Sequence, residues 1–510
     1  MLRNALERLN ELMASAETSS VLEQKADNAS LKVEGWRPSA IAADIATLGS
    51  GTVVAGLFNV ALVFLVPRFL SVEDYGYWRT FGLYAGYVGF LHLGFADGAL
   101  LSWAGRSFGE FRNEILPSLR FLLWQQILIV GSLCLVLGFV LHGEMRFVGV
   151  AVALCAPLYN LTTLLQFSLQ AARLFRPVAI SAIATPALFC AFVLLLVAGR
   201  WSFGYRAVVS LFLFAWCIPL VFLLWWTKPW SGEGRAATKK LATDCLASGW
   251  PIVAANTGVN LVLNADRLAV SWTATIQNFA QYSLAASAMA VPITAIQACS
   301  KVVFSHLASL TSGGRKRIYG SVLRSFLLVW MFLLPFYFLL EVILRLFLPK
   351  YVPSLEFARV LLLGIPFLAA IQILHMNYAY LHGMQKHFLL RTTAVLTVSL
   401  AAISLIAFGT GSLKTVAAVQ VAILGSWWLF NEWTLRDLTG QTQGDWINFV
   451  GVYVLVGLSY WLMSGLRLNV GMRLALYYFG AAILAWIGCL DEVRFFIRLL
   501  MGRPAAPVEG

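Results

Sequence analysis

Gly249 to Arg267, GWPIVAANTGVNLVLNADR, is an otherwise apolar stretch that carries three asparagines, an aspartate and an arginine. At 100° per residue, Asn256, Asn260, Asn264 and Arg267 fall within one narrow arc of a helix, with Gly249 on the same arc. Centring one ionisable group in hydrocarbon costs at least roughly 2.5 kcal/mol, so a stripe of this kind must face protein or water. The pattern predicts a transmembrane helix forming one wall of a substrate passage, with Gly249 and Pro251 as a hinge at its foot. A plainer account stands beside it. Asparagines in membrane helices bond across to their neighbours, and a cation near a span end snorkels to the headgroups.

The rest of the chain fits a membrane setting. Of its 510 residues 60% are hydrophobic and only 12% charged, far more apolar than a soluble domain. The net charge of +13 sits in short basic clusters between apolar runs, which membrane topology explains and nucleic-acid binding does not. The seven cysteines are scattered without a CxxC pair, so neither a disulfide nor a metal site is expected, and nothing calls for a cofactor.

About fourteen apolar segments of spanning length follow a polar tail. They are expected near 43–66, 80–104, 119–141, 147–170, 177–199, 206–226, 247–271, 279–304, 321–344, 356–381, 391–409, 413–433, 447–465 and 472–495. Lys and Arg concentrate in segments on one side, notably the tail, Lys228 to Lys240 and Arg315 to Arg317, which puts both termini in the cytoplasm. The expected organisation is a cytoplasmic tail (1–40), an N-lobe of six spans (41–227), a cytoplasmic inter-lobe loop (228–246), a C-lobe of six spans (247–435) and two appended spans with a cytoplasmic end (436–510). Repeated strings support a duplication. Gly76-Tyr77 opens the second span as Gln281-Tyr282 opens the eighth, and Leu169-Gln170-Ala171-Ala172-Arg173 closes the fourth as Leu381-His382-Gly383-Met384-Gln385-Lys386 closes the tenth.

These residues carry a resemblance. Leu48-Gly49-Ser50-Gly51, the run Val66 to Tyr77, Leu93-Gly94, Asn264-Ala265-Asp266-Arg267, Tyr282 and the turn Tyr380 to Lys386 resemble bacterial Wzx-type polysaccharide flippases over roughly residues 43–440. That family belongs to the superfamily that also holds the multidrug extrusion (MATE) transporters and the lipid II flippase. The resemblance implies an all-α polytopic fold, two six-helix lobes related by a pseudo-twofold around a central cavity, and alternating access. It also implies transport of a polyprenyl-pyrophosphate-linked oligosaccharide across the bacterial inner membrane for cell-surface polysaccharide synthesis, beside other polysaccharide-assembly membrane proteins. The sequence departs at Ala280-Gln281-Tyr282, which lacks the glycine usual before that tyrosine.

A pyrophosphate and its sugars need a wet, cationic path through the bilayer. The sequence offers a ladder of Arg267 and Lys301 at two depths, with Asn256, Asn260, Asn264 and Gln297 between them. Asp97 and Lys301 fall at similar depths and suit an inter-lobe gate; alternatively Asp97 pairs within its own lobe. Asn160, Gln166 and Gln170 on the fourth span, and Gln372, His375 and Asn377 on the tenth, are further lining candidates. Two other functions compete. A membrane glycosyltransferase, polymerase or ligase would need a sizeable outer loop that is absent from the expected topology, and a MATE-like drug or cation antiporter would favour acidic cavity residues. No GxxxxGK[ST] phosphate loop occurs.

Overall fold

The structure is a computed structural model, which describes residues 38–199, 203–231, 239–289, 292, 296, 307 and 312–488. Among these every regular element is a helix, and eleven helices are long and apolar enough to cross a membrane. The expected all-α polytopic architecture holds. The tail, Gln297 and Lys301 lie outside the described residues.

The first span is α1 (Pro38–Phe69), of which Gly49–Phe69 has spanning hydropathy. The second is not one helix. It comprises α2 (Val72–Ala85), a 3-10 turn (Val88–His92) and α3 (Phe95–Trp103). Leu93 and Gly94 both take positive φ, 52° and 84°, which no continuing helix allows. Broken backbone at membrane depth is tolerated only where protein satisfies it. Here the Gly94 N–H donates to His92 Nδ1 at 3.0 Å, and Asn160 and Gln126 hold the turn through Val88 O and Leu91 O. Ser71 caps α2 by accepting from the Asp74 N–H, so this span begins at Val72, earlier than the expected 80.

The N-lobe continues through α4 (Phe108–Val140), α5 (Gly143–Ala171), α6 (Phe175–Ala198) and α7 (Tyr205–Thr227), with α5 packed against α2, α3, α4 and α7. The next helix, α8 (Lys239–Leu263), already starts within the stretch expected to be loop and runs unbroken through Pro251. It stops at Asn264, and α9 (Ala265–Thr273) completes the span. The eighth span opens with α10 (Ile276–Ala288), capped by Thr275 as α2 is by Ser71. Counted from these caps, Tyr282 is matched by Trp78 rather than by Tyr77, a one-residue shift from the sequence pairing. The repeat shows again at the closures of the fourth and tenth spans. Leu174 N–H bonds to Leu169 O and Met384 N–H to Ala379 O, both at 2.8 Å, with positive φ at Arg173 and Gly383 respectively.

Four further spans complete the C-lobe. The ninth, α11 (Ser312–Leu333) and α12 (Phe336–Phe347), bends at Pro335. The tenth is the most enclosed of the eleven: α13 (Ser354–Leu361), a 3-10 turn, α14 (Ile365–Ala369), a π-helical turn (Ala370–His375) and α15 (Met376–Leu381). Then come α16 (Gln385–Thr410) and α17 (Leu413–Thr439). Two appended helices, α18 (Gln443–Gly465) and α19 (Val470–Gly488), pack on each other and on α11.

The lobes touch near both membrane surfaces. On the side of the inter-lobe segment, glycines of α3 meet α8 so closely that a Cβ on Gly98 would stand 1.9 Å from Cys245 O, and one on Gly249 1.9 Å from Gly94 O. On the far side a Cβ on Gly76 would lie 2.5 Å from Ile276 O, Tyr75 meets Tyr351 edge-on at 5.3 Å, and Lys350 Nζ donates to Leu70 O.

Candidate functional site

The break at Asn264 builds a polar cavity. Asn260 O keeps its helical bond from the Asn264 N–H at 3.1 Å and accepts a second from Asn264 Nδ2 at 2.9 Å, while Val262 O accepts from Gln420 Nε2 on α17 at 3.0 Å. Around this break Asn260, Asn264, Asp266, Arg267, Gln372 and Gln420 line a cavity of about 250 Å³. Arg267, in the first turn of α9, reaches across to Ala286 O at 2.8 Å. Its neighbour Asp266 turns into the lobe and is 3% exposed, accepting from Tyr282 Oη at 2.6 Å.

A second arginine comes from the other lobe. Arg79 on α2 lies within electrostatic reach of Arg267, and its Nε is buried with no hydrogen-bond partner among the described residues. Arg79 is not among the residues lining the polar cavity, yet an anion held by both guanidiniums would relieve their repulsion and the orphaned donor.

The opposite face of α8 is apolar. Ala254, Gly258 and Leu261, with Tyr84, Val148 and Leu396, line a cavity of about 850 Å³ whose walls come from both lobes. Tyr87 lines this cavity and donates to Asn260 O at 3.4 Å, so the polar and apolar spaces meet at one backbone group of α8.

A family model described as "Polysaccharide biosynthesis protein" matches residues 144–350. No curated protein sequence matches the chain. Among solved structures, the lipid II flippase MurJ in an inward closed conformation superposes with a TM-score of 0.66 at 12% identity, covering 88% of this chain and 99% of that one. An inward-facing multidrug resistance MATE family transporter of the MOP superfamily superposes with a TM-score of 0.56 at 12% identity, covering 77% of this chain and 96% of that one. The fold is shared with both of these proteins. The resemblance read from the sequence is borne out at this level, and the chain is a multi-pass membrane protein with a two-lobed, all-helical fold.

Within that fold the sequence-predicted residues divide. Asn260, Asn264, Arg267 and Gln372 come together in the polar cavity. Asn256 is exposed and outside it. Gly249 is a contact with α3, and Pro251 sits in continuous helix, so the discontinuity in this span falls at Asn264 and not at its foot. Of the proposed gate, Lys301 lies outside the described residues, while Asp97 Oδ2 stands 3.5 Å from His92 Nε2 in its own lobe. His92 Nδ1 accepts from Gly94, which leaves the proton on Nε2, facing Asp97.

The fourth-span residues serve packing. Asn160 is fully buried and bonds to Val88 O and Gln126 Oε1, and Gln166 donates to Ser181 Oγ at 2.9 Å. Gln170 is half-buried near that helix's end. Asn377 donates to Ile373 O of its own span at 2.8 Å. The π-helical turn sets His375 Nε2 3.0 Å from Glu432 Oε1, which also accepts from Tyr319 Oη at 2.7 Å, all three groups fully buried.

Sequence reading missed Arg79 and Gln420. Arg79 fell just outside a span expected to start at 80, yet the cap signature Ser71-Val72-Glu73-Asp74 marks the true start. Gln420 was signalled by its place as an amide within an apolar run.

Proposed function

We propose that this protein carries a polyprenyl-pyrophosphate-linked oligosaccharide across the bacterial cytoplasmic membrane by alternating access, for synthesis of a cell-surface polysaccharide, with both termini in the cytoplasm. The observation that carries the reading is Arg267 in a polar cavity that abuts an apolar one, with Arg79 of the other lobe within electrostatic reach. The substrate has the same division: a diphosphate and sugars for the arginines and amides, and a polyprenyl chain for the apolar walls. Two guanidiniums suit a diphosphate, which accepts bidentate bonds from each.

A cavity of about 250 Å³ is too small to enclose a diphosphate with several sugars, so transport requires the lobes to part. The contacts of Gly98 and Gly249 at one surface, and of Gly76 and Lys350 at the other, are the ones that must open in turn. A cationic-drug antiporter fits less well. Both cations would repel such a cargo, and Asp266, which lines the cavity, already accepts from Tyr282 through Oδ2.

The test is transport of the lipid-linked oligosaccharide in reconstituted vesicles. Arg79→Ala and Arg267→Ala are each expected to lower it by roughly tenfold or more, the scale of a lost charge-assisted hydrogen bond. Unchanged transport in both variants would remove the arginine pair from the mechanism. In cells, deletion of the protein should leave its lipid-linked oligosaccharide on the cytoplasmic face; if none accumulates, the flippase reading falls.

A further inference from the structure

A second charged cavity, of about 1160 Å³, lies at the far-side end of the C-lobe and shares no lining residue with the polar cavity. Its walls are the last turns of α12, the start of α13, the start of α17 and the connection between α18 and α19. Five cations line it, Arg345, Arg359, Lys414, Arg467 and Arg473, against only two carboxylates, Glu341 and Glu356.

The carboxylates are already committed. Glu341 is divided between Arg345 Nε at 3.0 Å and Arg473 Nη2 at 2.8 Å, and Glu356 pairs with Lys414 at 2.8 Å. Arg359 pairs with no carboxylate among the described residues. Its guanidinium is stacked 3.8 Å over the Trp461 ring and fixed by bonds to Ser464 Oγ and Trp461 O. Arg467 is exposed and makes no ion pair among the described residues. Arg473 is only 6% exposed, and its Nε has no partner among the described residues. A surplus of fixed positive charge in a concave wall attracts an anion, and guanidiniums held rigidly bind phosphate with little ordering cost.

We propose that this cavity binds the phosphate-bearing headgroup of an anionic membrane lipid. The surroundings favour a lipid over a free phosphate. Leu466 and Leu468 at the rim are exposed, as are Leu462, Met472 and Phe479 on the two helices that the connection joins, and acyl chains would lie along such apolar side chains. Trp461 marks the level of the membrane interface, where headgroups sit. The site is independent of the transport reading, since it shares no residue with the polar cavity on α8 and α9.

The full-length protein, purified in neutral detergent, would be titrated with phosphatidylglycerol, phosphatidylcholine and inorganic pyrophosphate, with bound lipid read by native mass spectrometry. Phosphatidylglycerol should be retained over phosphatidylcholine, and Arg359→Gln combined with Arg467→Ala should weaken it about tenfold. Arg467→Ala alone, a change at an exposed side chain, should weaken it in the same direction. Melting in phosphatidylcholine checks that both variants are folded. Equal retention of the two lipids, or unchanged affinity in the folded variants, would overturn the site. Tight binding of pyrophosphate without preference for phosphatidylglycerol would overturn the lipid assignment.

Discussion

Glu432, His375 and Tyr319 form a fully buried polar knot, and Glu432 Oε2 and His375 Nδ1 have no partner among the described residues. Removing one member of such a pair strands the other at a cost of about 3–5 kcal/mol, whereas replacing both by apolar groups is often neutral. His375→Leu should therefore melt well below the parent in detergent, and His375→Leu with Glu432→Met should recover most of the loss. Equal destabilisation by the single and the double change would mean that the pair is not the source. At this scale the sequence was informative about which residues are unusual and poor on their partners. Asn260, Asn264, Arg267 and Gln372 were legible because lipid makes polar groups conspicuous, and they do share a cavity. Asn160 was equally conspicuous, yet it clamps the turn at Val88, because a polar side chain inside a membrane protein answers to any orphaned carbonyl within reach.

Helical periodicity found nearly every element, since a span needs about twenty apolar residues and little else does. What it could not find were the breaks. A 100° projection assumes an unbroken helix, while the second and seventh spans are interrupted at Leu93-Gly94 and at Asn264. Those breaks depend on partners from other spans, such as Gln420 bonding to Val262 O, which local sequence does not encode. The contact of α3 with α8 is a sharper case. Gly94 and Gly98 stand four residues apart, the spacing of a close-packing pair, and the surface they meet includes Gly249. Gly98→Ala should push these helices apart on the inter-lobe side, because no rotamer relieves a clash between a Cβ and the backbone at Cys245. With Cys245 as the sole cysteine, the variant should show several-fold faster maleimide labelling of that thiol, which is 2% exposed in the parent. Labelling at the parent rate would show that the contact gives way without opening.

The whole molecule places its two charged cavities at different jobs in space. The arginine pair bridges the lobes, whereas the five-cation cavity belongs to the C-lobe and its appended helices alone. Two lobes were legible from repeated strings, and the shared caps at Ser71 and Thr275 give that repeat a structural basis. Which surfaces the lobes use against each other was not, since glycine contacts and the reach of Lys350 to Leu70 join residues hundreds of positions apart. If transport needs the lobes to rock, tying them at the far side must stop it even though the arginines are untouched. Cysteines at positions 70 and 350, bridged by a short reagent with a reducible disulfide, should abolish transport, and reduction should restore it. Either cysteine alone, treated with the same reagent, should leave transport near the parent rate. Full activity in the bridged protein would rule out separation of the lobes at this surface as a step of the cycle.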